Sequence, residues 1–352
     1  MAKQSPDAAP EHKRRPRYAG RNPRTFHEKY KEHDPARYAS DVEKVLASGK
    51  TPAGMHRPIM VDEVLECLRP QPGDVAVDCT LGGGGHARAL LPRLQPGGRL
   101  IALDLDPLEL PRTVEQLREA GFGPESFVAH NVNFAGLPKV LAAEGLASAD
   151  AILADLGVSS MQLDNPDRGF NYKEHGPLDM RMNPGRGETA AQLIARLSET
   201  ELARILDEHA DEPHAVVIAR RLKGHAFRTT HELERDVRDV LSSPPLDVEK
   251  PQVKMSVRRT FQAIRIAVND EFASLDWFLN VLPQCLAPGG RAAILTFHSG
   301  EDRRVKKSFK AGLREGVYSA VARDVIRSSM EETRANRRAS LAKLRWAVRA
   351  AF

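Results

Sequence analysis

Three cysteines in 352 residues, Cys67, Cys79 and Cys285, are too few and too scattered for a disulfide framework or a zinc cluster. They point to a reducing, cytoplasmic setting. No stretch approaches the roughly 20 uninterrupted apolar residues that a membrane helix needs, so no membrane partner is expected. The first residues lack the apolar core of a secretion signal, and their cations are interleaved with Glu11, Glu28 and Asp34, which argues against a targeting peptide. The spaced glycines of a dinucleotide site, G-x-G-x-x-G, are missing as well. A chain of this length holds either one large α/β core with an insertion or two domains.

What the chain does have is the run Asp74 to His86, DVAVDCTLGGGGH, followed by RLIALDLD, Arg99 to Asp106. An apolar strand ending in four glycines brings bare backbone close to a ligand. An acid closing the next parallel strand offers a carboxylate to a ribose diol. Gly82 to Gly85 are contiguous, and a pyrophosphate would favour spaced glycines and an uncluttered helix N-terminus. S-adenosylmethionine, a nucleoside cofactor without phosphate, fits better, with the glycine loop against its methionine part and Asp104 on its ribose. The alternative is a glycine-rich turn with no ligand.

Charge is uneven along the chain. Residues 1–50 carry 12 Lys and Arg against 7 Asp and Glu, net +5; residues 300–352 carry 14 against 6, net +8; the stretch between is net −8. Lys13 to Arg24, KRRPRYAGRNPR, has six cations and no acid, a composition suited to a flexible arm on phosphates. A solvated tail is the alternative. The C-terminal cations Arg334, Arg337, Arg338, Lys343 and Arg345 are expected either on RNA or on an exposed helix face.

Apolar periodicity predicts a helix over 58–68, then alternating strands and helices through Ile152 to Leu156, which implies a parallel, doubly wound sheet with its site at the strand C-termini. The alternation stops at Gln162. A Gly- and Pro-rich loop, Gly169 to Gly187, is followed by helical stretches over 190–197, 199–208, 216–223 and 232–241, with a capping box at SETE, Ser198 to Glu201. After Pro244-Pro245, one long helix is expected from Arg259 to about Leu282, leading to a strand over 291–297. The domains expected are therefore a basic extension, 1–50; a discontinuous catalytic domain, 51–161 and 251–352; and an inserted helical substrate-recognition domain, 162–250.

HRPIMVDEVL at His56, VDCTLGGGGH at Val77, DLGVSSMQLD at Asp155, RGF at Arg168, GPLDMRMNPGRG at Gly176, RTFQAIRIAVNDE at Arg259, APGGRAAILTFHS at Ala287 and ASLAKLR at Ala339 together resemble the bacterial 16S ribosomal RNA cytosine-N4 methyltransferases, the RsmH (MraW) family. The likeness is collinear from about residue 56 to about 348. It implies a Rossmann-like class I methyltransferase fold with an inserted all-helical subdomain, S-adenosylmethionine as cofactor, and the small ribosomal subunit and its 16S RNA as partner. Oligomeric state, a dimer included, is left open. Transferred onto this chain, the family's cofactor positions fall on Gly84, Gly85, His86, Asp104, Phe134, Asp155 and Gln162; no metal is implied. Asp104 would take the ribose hydroxyls and Phe134 the adenine face. The chain departs from the family pattern at Gly83, where an arginine is usual, at Ala87, at Gly300, where a leucine is usual, before RTFQ, where a histidine-proline pair is usual, and in its N-terminal extension.

Methyl transfer to a cytosine amine needs a group that holds the amine in line and accepts from its N–H as the nitrogen pyramidalises. DNA amino-methyltransferases use an acid or serine followed by Pro-Pro-aromatic. DLGVSS lacks those prolines and offers Asp155, Ser159 and Ser160 as catalytic candidates. Tyr172, Met180 and Met182 are expected to line the path of an unstacked base. The competing functions are methylation of DNA or of a small amine, and an RNA-binding assembly factor without catalysis.

Overall fold

The computed structural model describes residues 58–351. The basic extension expected over 1–50 lies outside them. The first half contains α1 (Val61–Leu68), β1 (Val75–Asp78), α2 (Gly85–Leu94), β2 (Arg99–Asp104), α3 (Leu110–Glu119), β3 (Phe127–Asn131), α4 (Leu137–Ala143) and β4 (Ala149–Asp155). Next come the short α5 (Ser160–Asp164) and the helices α6 (Ala190–Arg196), α7 (Glu199–Ala210), α8 (Ala215–Lys223), α9 (Thr230–Ser242) and α10 (Lys250–Val268). The chain returns through α11 (Glu271–Cys285), β5 (Leu286–Thr296), α12 (Ser299–Arg314), β6 (Tyr318–Val321), α13 (Met330–Ala335) and β7 (Lys343–Arg349).

Seven strands form one sheet in the order β3-β2-β1-β4-β5-β7-β6. The first five are parallel, and β7 runs antiparallel to both its neighbours. Strand residues alternate between the two faces because successive side chains in a strand point oppositely. Leu100, Ala102, Ala151 and Leu153 pack with α1, α2 and α3, while Ile101, Leu103, Ile152 and Ala154 pack with α4, α11 and α12. This is the α/β, doubly wound, Rossmann-like sheet that was expected, with β6 and β7 added as an antiparallel edge. Its strand order reverses between β1 and β4, and in such sheets ligands bind in the crevice outside the strand C-termini there.

The helices from α6 to α10 share an apolar core of their own with Phe170, Leu178 and Met180. The SETE capping box forms: the Glu201 amide donates to Ser198 Oγ at 3.2 Å, and Glu201 Oε2 accepts from the Ser198 amide at 2.8 Å. Two differences from the sequence expectation matter for the site. The single long helix over 259–282 is two helices, α10 and α11, broken at Asn269-Asp270, where Asp270 adopts φ 50°. The Asn269 side chain donates to Met180 O (2.8 Å) and accepts from the Met182 amide (2.7 Å), so the break clamps the loop beside it. In addition, α10 buries Val253, Val257, Phe261 and Ile264 in the helical core, although the catalytic domain was expected to resume at 251. These positions recur at helical spacing and match the face presented by α7 and α9 rather than the sheet.

Candidate active site

The C-terminal ends of β1, β2, β4 and β5, together with α10 and the loop after β4, enclose a cavity of about 930 Å³. Gly85, His86, Asp104, Phe134, Asp155, Ser159, Ser160 and Gln162 all line it. Gly84 does not. Gly84 closes the turn into α2 at φ 72°, and a Cβ there would lie 2.8 Å from Thr113 Cγ2 and 2.9 Å from Arg88 Nη1. Its glycine serves packing and backbone conformation. At Gly85 a Cβ would strike the Pro58 ring at 2.8 Å, whereas at Gly83 it would meet only Met161 Cε at 3.8 Å, so the departure at Gly83 is sterically neutral. Gly300 is different. A Cβ there would come within 2.6 Å of Phe272 Cζ, and the Arg304 guanidinium stacks on that ring at 3.6 Å, so this chain exchanges a larger side chain for the stacked pair.

Asp104, at the end of β2, accepts from the Gly82 amide at 2.6 Å and from the Asp106 amide at 2.8 Å. These bonds tie the glycine loop to the strand and leave lone pairs for a ligand. Burial pushes its carboxyl up to about 6, with the two amide donors pulling the other way. Asp106, two residues on and 1% exposed, was not singled out from sequence. Its Oδ2 accepts from Arg168 Nη1 (2.7 Å) and from Gln162 Nε2 (2.8 Å). Arg168 also donates to the carbonyls of Arg181 and Met182. Gln162 Oε1 accepts from the Ser159 amide at 3.0 Å. Both ends of the Gln162 amide are thus engaged within the protein, and the residue carries the loop after β4 rather than presenting a free polar end. The only hint in the sequence was the repeated acid of LDLD and the arginine of RGF.

The floor of the cavity is anionic around one histidine. His86 Nε2 lies 3.5 Å from Asp155 Oδ2, an ion-pair distance too long for a formed hydrogen bond. His86 Nε2, Asp155 Oδ1 and Asp78 Oδ2 are all buried without a hydrogen-bond partner. Burial disfavours charge on His86, but Asp155 and then Asp78 outweigh it and hold its pKa above the ordinary value. Burial raises Asp78 to about 6, opposed chiefly by His86. Asp78, which closes β1, was not named from sequence. Buried polar atoms are rarely left unpaired; of these three residues His86 and Asp155 line the cavity and mark where a polar or cationic ligand fits, while Asp78 lies behind them. The chemistry of this set, carboxylates and a histidine around an open cavity, suits the sulfonium and ammonium of S-adenosylmethionine.

The two serine candidates have structural partners. Ser159 Oγ caps α5, accepting from the Gln162 amide at 3.1 Å, and Ser160 Oγ accepts from Arg338, whose other amine bonds Asp164 at 3.0 Å. Phe134 meets Phe278 edge to face at 5.4 Å. Tyr172 and Met182 line the cavity as expected, but Met180 is 0% exposed and belongs to the helical core. Further in, Arg265 holds Glu271 with two 2.7 Å bonds, and His298 caps α12 with its Nε2 3.1 Å from Glu301. Burial alone would raise Glu301, yet His298 and Arg265 hold its carboxyl below the ordinary value. Glu271, His298 and Glu301 have ligand atoms within 4.8 Å of one another, and the guanidinium already chelating Glu271 makes this an ion-pair network. Three of the five C-terminal cations are in ion pairs, Arg338 with Asp164 and Lys343 and Arg345 both with Asp302, while Arg334 and Arg337 are exposed. Lys343 and Arg345 lie on β7, not on a helix.

The profile of the MraW methylase family matches residues 53–350. "Ribosomal RNA small subunit methyltransferase H 1" of Lachnoclostridium phytofermentans is 50% identical over 346 residues, covering 97% of this chain and 94% of that protein. "Ribosomal RNA small subunit methyltransferase H 2" of Alkaliphilus metalliredigens is 49% identical, covering 96% and 97%. A relative from Anaeromyxobacter sp. (strain K), "Ribosomal RNA small subunit methyltransferase H", is 43% identical over 82% of this chain and 96% of its own. A match over 97% of the chain cannot omit 50 residues, so the N-terminal extension, expected to be unusual, recurs in some relatives and not in others.

Proposed function

The chain belongs to the MraW methylase family, and from that membership and its cavity we propose that it methylates the N4 exocyclic amine of a decoding-centre cytosine in the 16S RNA of the small ribosomal subunit. S-adenosylmethionine, when bound, supplies an electrophilic methyl group. The chain's own residues bind, orient and accept. Asp104 takes the ribose hydroxyls and Phe134 packs on the adenine. Gly85, His86 and the residues just after β1, Cys79 and Thr80, border the methionine part, with the buried Asp78 behind His86. Gln162 acts at one remove, by holding Asp106 and the loop.

The observation that carries the reading is the unpartnered Asp155 Oδ1 at the β4 terminus, in the same cavity as the glycine loop. A carboxylate there accepts an N–H of the target amine and favours its pyramidal, nucleophilic form, and it needs no strong base to do so. His86 Nε2 lies 3.5 Å from the other oxygen, Oδ2, and favours the ionised carboxylate by charge. Incubating the protein and labelled S-adenosylmethionine with small subunits from a strain lacking this enzyme, then digesting the RNA for nucleoside mass spectrometry, tests it. N4-methylcytidine is the expected product. Label only in DNA, only in a small amine, or nowhere would overturn the reading.

Asp104→Ala should weaken S-adenosylmethionine binding by about 1–3 kcal/mol, since a buried, charge-assisted acceptor is removed. Because the folded Asp104 carboxyl sits at about 6, the wild-type affinity should fall as pH drops through that value, where the acceptor gains a proton. Calorimetry from pH 5 to 8 checks both. An affinity unaltered by the substitution would remove the ribose role.

Removal of residues 1–50, which carry net +5, should flatten the salt dependence of RNA binding by a few log–log units, at about 0.7–0.9 per phosphate neutralised. Cofactor affinity should not change. Filter binding across a salt series decides it, and identical slopes would make the extension a solvated tail.

A further inference from the structure

We propose that the exposed edge of α10 is a track for the sugar-phosphate backbone of single-stranded RNA, with Lys254 and Arg258 on consecutive phosphates, Lys173 on another, and Met255 against a base or ribose. This rests on the RNA-methylation reading and names the surface that delivers the target nucleotide.

One face of α10 borders the cavity along most of the helix: Pro251, Lys254, Met255, Arg258, Gln262 and Arg265, spaced by three and four residues, all line it. Lys254 and Arg258 are exposed and one turn apart, about 6 Å along the axis, comparable to the separation of successive phosphates on a nucleotide strand. Between them Met255 is 46% exposed, one of the few large apolar side chains left at the surface. Lys173 is exposed on the loop that also lines the cavity, next to Tyr172, whose ring meets Phe261 of α10 at 5.4 Å.

Like charges four residues apart on a helix repel. Elsewhere the protein places opposite charges at that same spacing, Arg204 with Glu208 and Glu234 with Arg238. Among the described residues, no carboxylate is paired with Lys173, Lys254 or Arg258. The cavity is sorted by charge as well. Every carboxylate lining it is buried or half-buried, Asp104, Asp155, Glu271 and Glu301 among them, whereas its exposed lining includes three cations and no acid. A cationic cofactor is favoured within and a polyanion along the edge. The net −8 between the basic ends therefore does not repel RNA from the mouth of the site, because charges act by position and are screened beyond about 10 Å.

The test is the double variant Lys254→Gln/Arg258→Gln, with Lys254→Arg/Arg258→Lys as the charge-preserving partner. Both side chains are exposed, and thermal melting verifies folding. Filter binding of small-subunit RNA across a salt series should give a log–log slope shallower by about 1.4, at about 0.7 per single-strand phosphate contact. The KM for RNA should rise, S-adenosylmethionine affinity by calorimetry should stay the same, and the charge-preserving variant should recover the wild-type slope. A wild type that methylates the RNA while the glutamine variant keeps the wild-type slope and KM would overturn the track alone. A wild type that neither binds nor methylates this RNA would overturn the proposed substrate, and the track with it.

Discussion

Asp155→Asn will slow methyl transfer about 100-fold at saturating substrates, the scale set by removing one preorganised transition-state partner from an active site, while cofactor affinity falls far less. The substitution keeps shape and removes charge. It also replaces one acceptor by an amide donor, which cannot accept from the target amine, and it takes away the counterion 3.5 Å from His86 Nε2. If Asp155 serves only the cofactor, the loss will instead appear equally in cofactor Kd and in kcat/KM. Single-turnover transfer with cofactor and RNA both saturating, alongside calorimetry of cofactor binding, separates the two outcomes.

Arg168→Met will destabilise the fold by about 3–5 kcal/mol, because it leaves the Asp106 carboxylate, 1% exposed, without its 2.7 Å guanidinium partner. For a domain of this size that corresponds to a fall in Tm of about 10 °C. The loop after β4 should loosen too, since Arg168 also holds the Arg181 and Met182 carbonyls. The double variant Asp106→Leu/Arg168→Met should recover much of the stability, as neither charge is then buried alone. Differential scanning calorimetry reads all three proteins. An Arg168→Met variant melting within a degree of wild type would mean that the pair contributes nothing.

The alternation of strands and helices, the glycine loop, the strand-end acids Asp104 and Asp155 and the interruption by a helical segment were legible in the sequence, because each is a local pattern of period, spacing or turn chemistry. Such patterns do not report what a side chain meets across the fold. The antiparallel strands β6 and β7 were missed because β6 is only four residues long and β7 mixes its apolar residues with Lys343, Arg345 and Arg349, which reads as surface until strand pairing buries Leu344 and Ala347. The helix break at Asn269-Asp270 carries no proline or glycine; the clamp on Met180 and Met182 makes it worthwhile.

Charge separates the two kinds of information most clearly. The sequence alone determined that cations crowd both ends of the chain around an acidic middle, a sum over residues that needs no coordinates. Only the tertiary structure decided which of those charges remain available. Arg338 finds Asp164 across 174 residues, Arg345 finds Asp302 across 43, and Asp106 is bound by Arg168 across 62. Meanwhile Lys254 and Arg258, inside the acidic stretch, stand exposed at the edge of the cavity. Coulomb energy depends on distance and on the surrounding medium, and both are set by chain segments far apart in sequence.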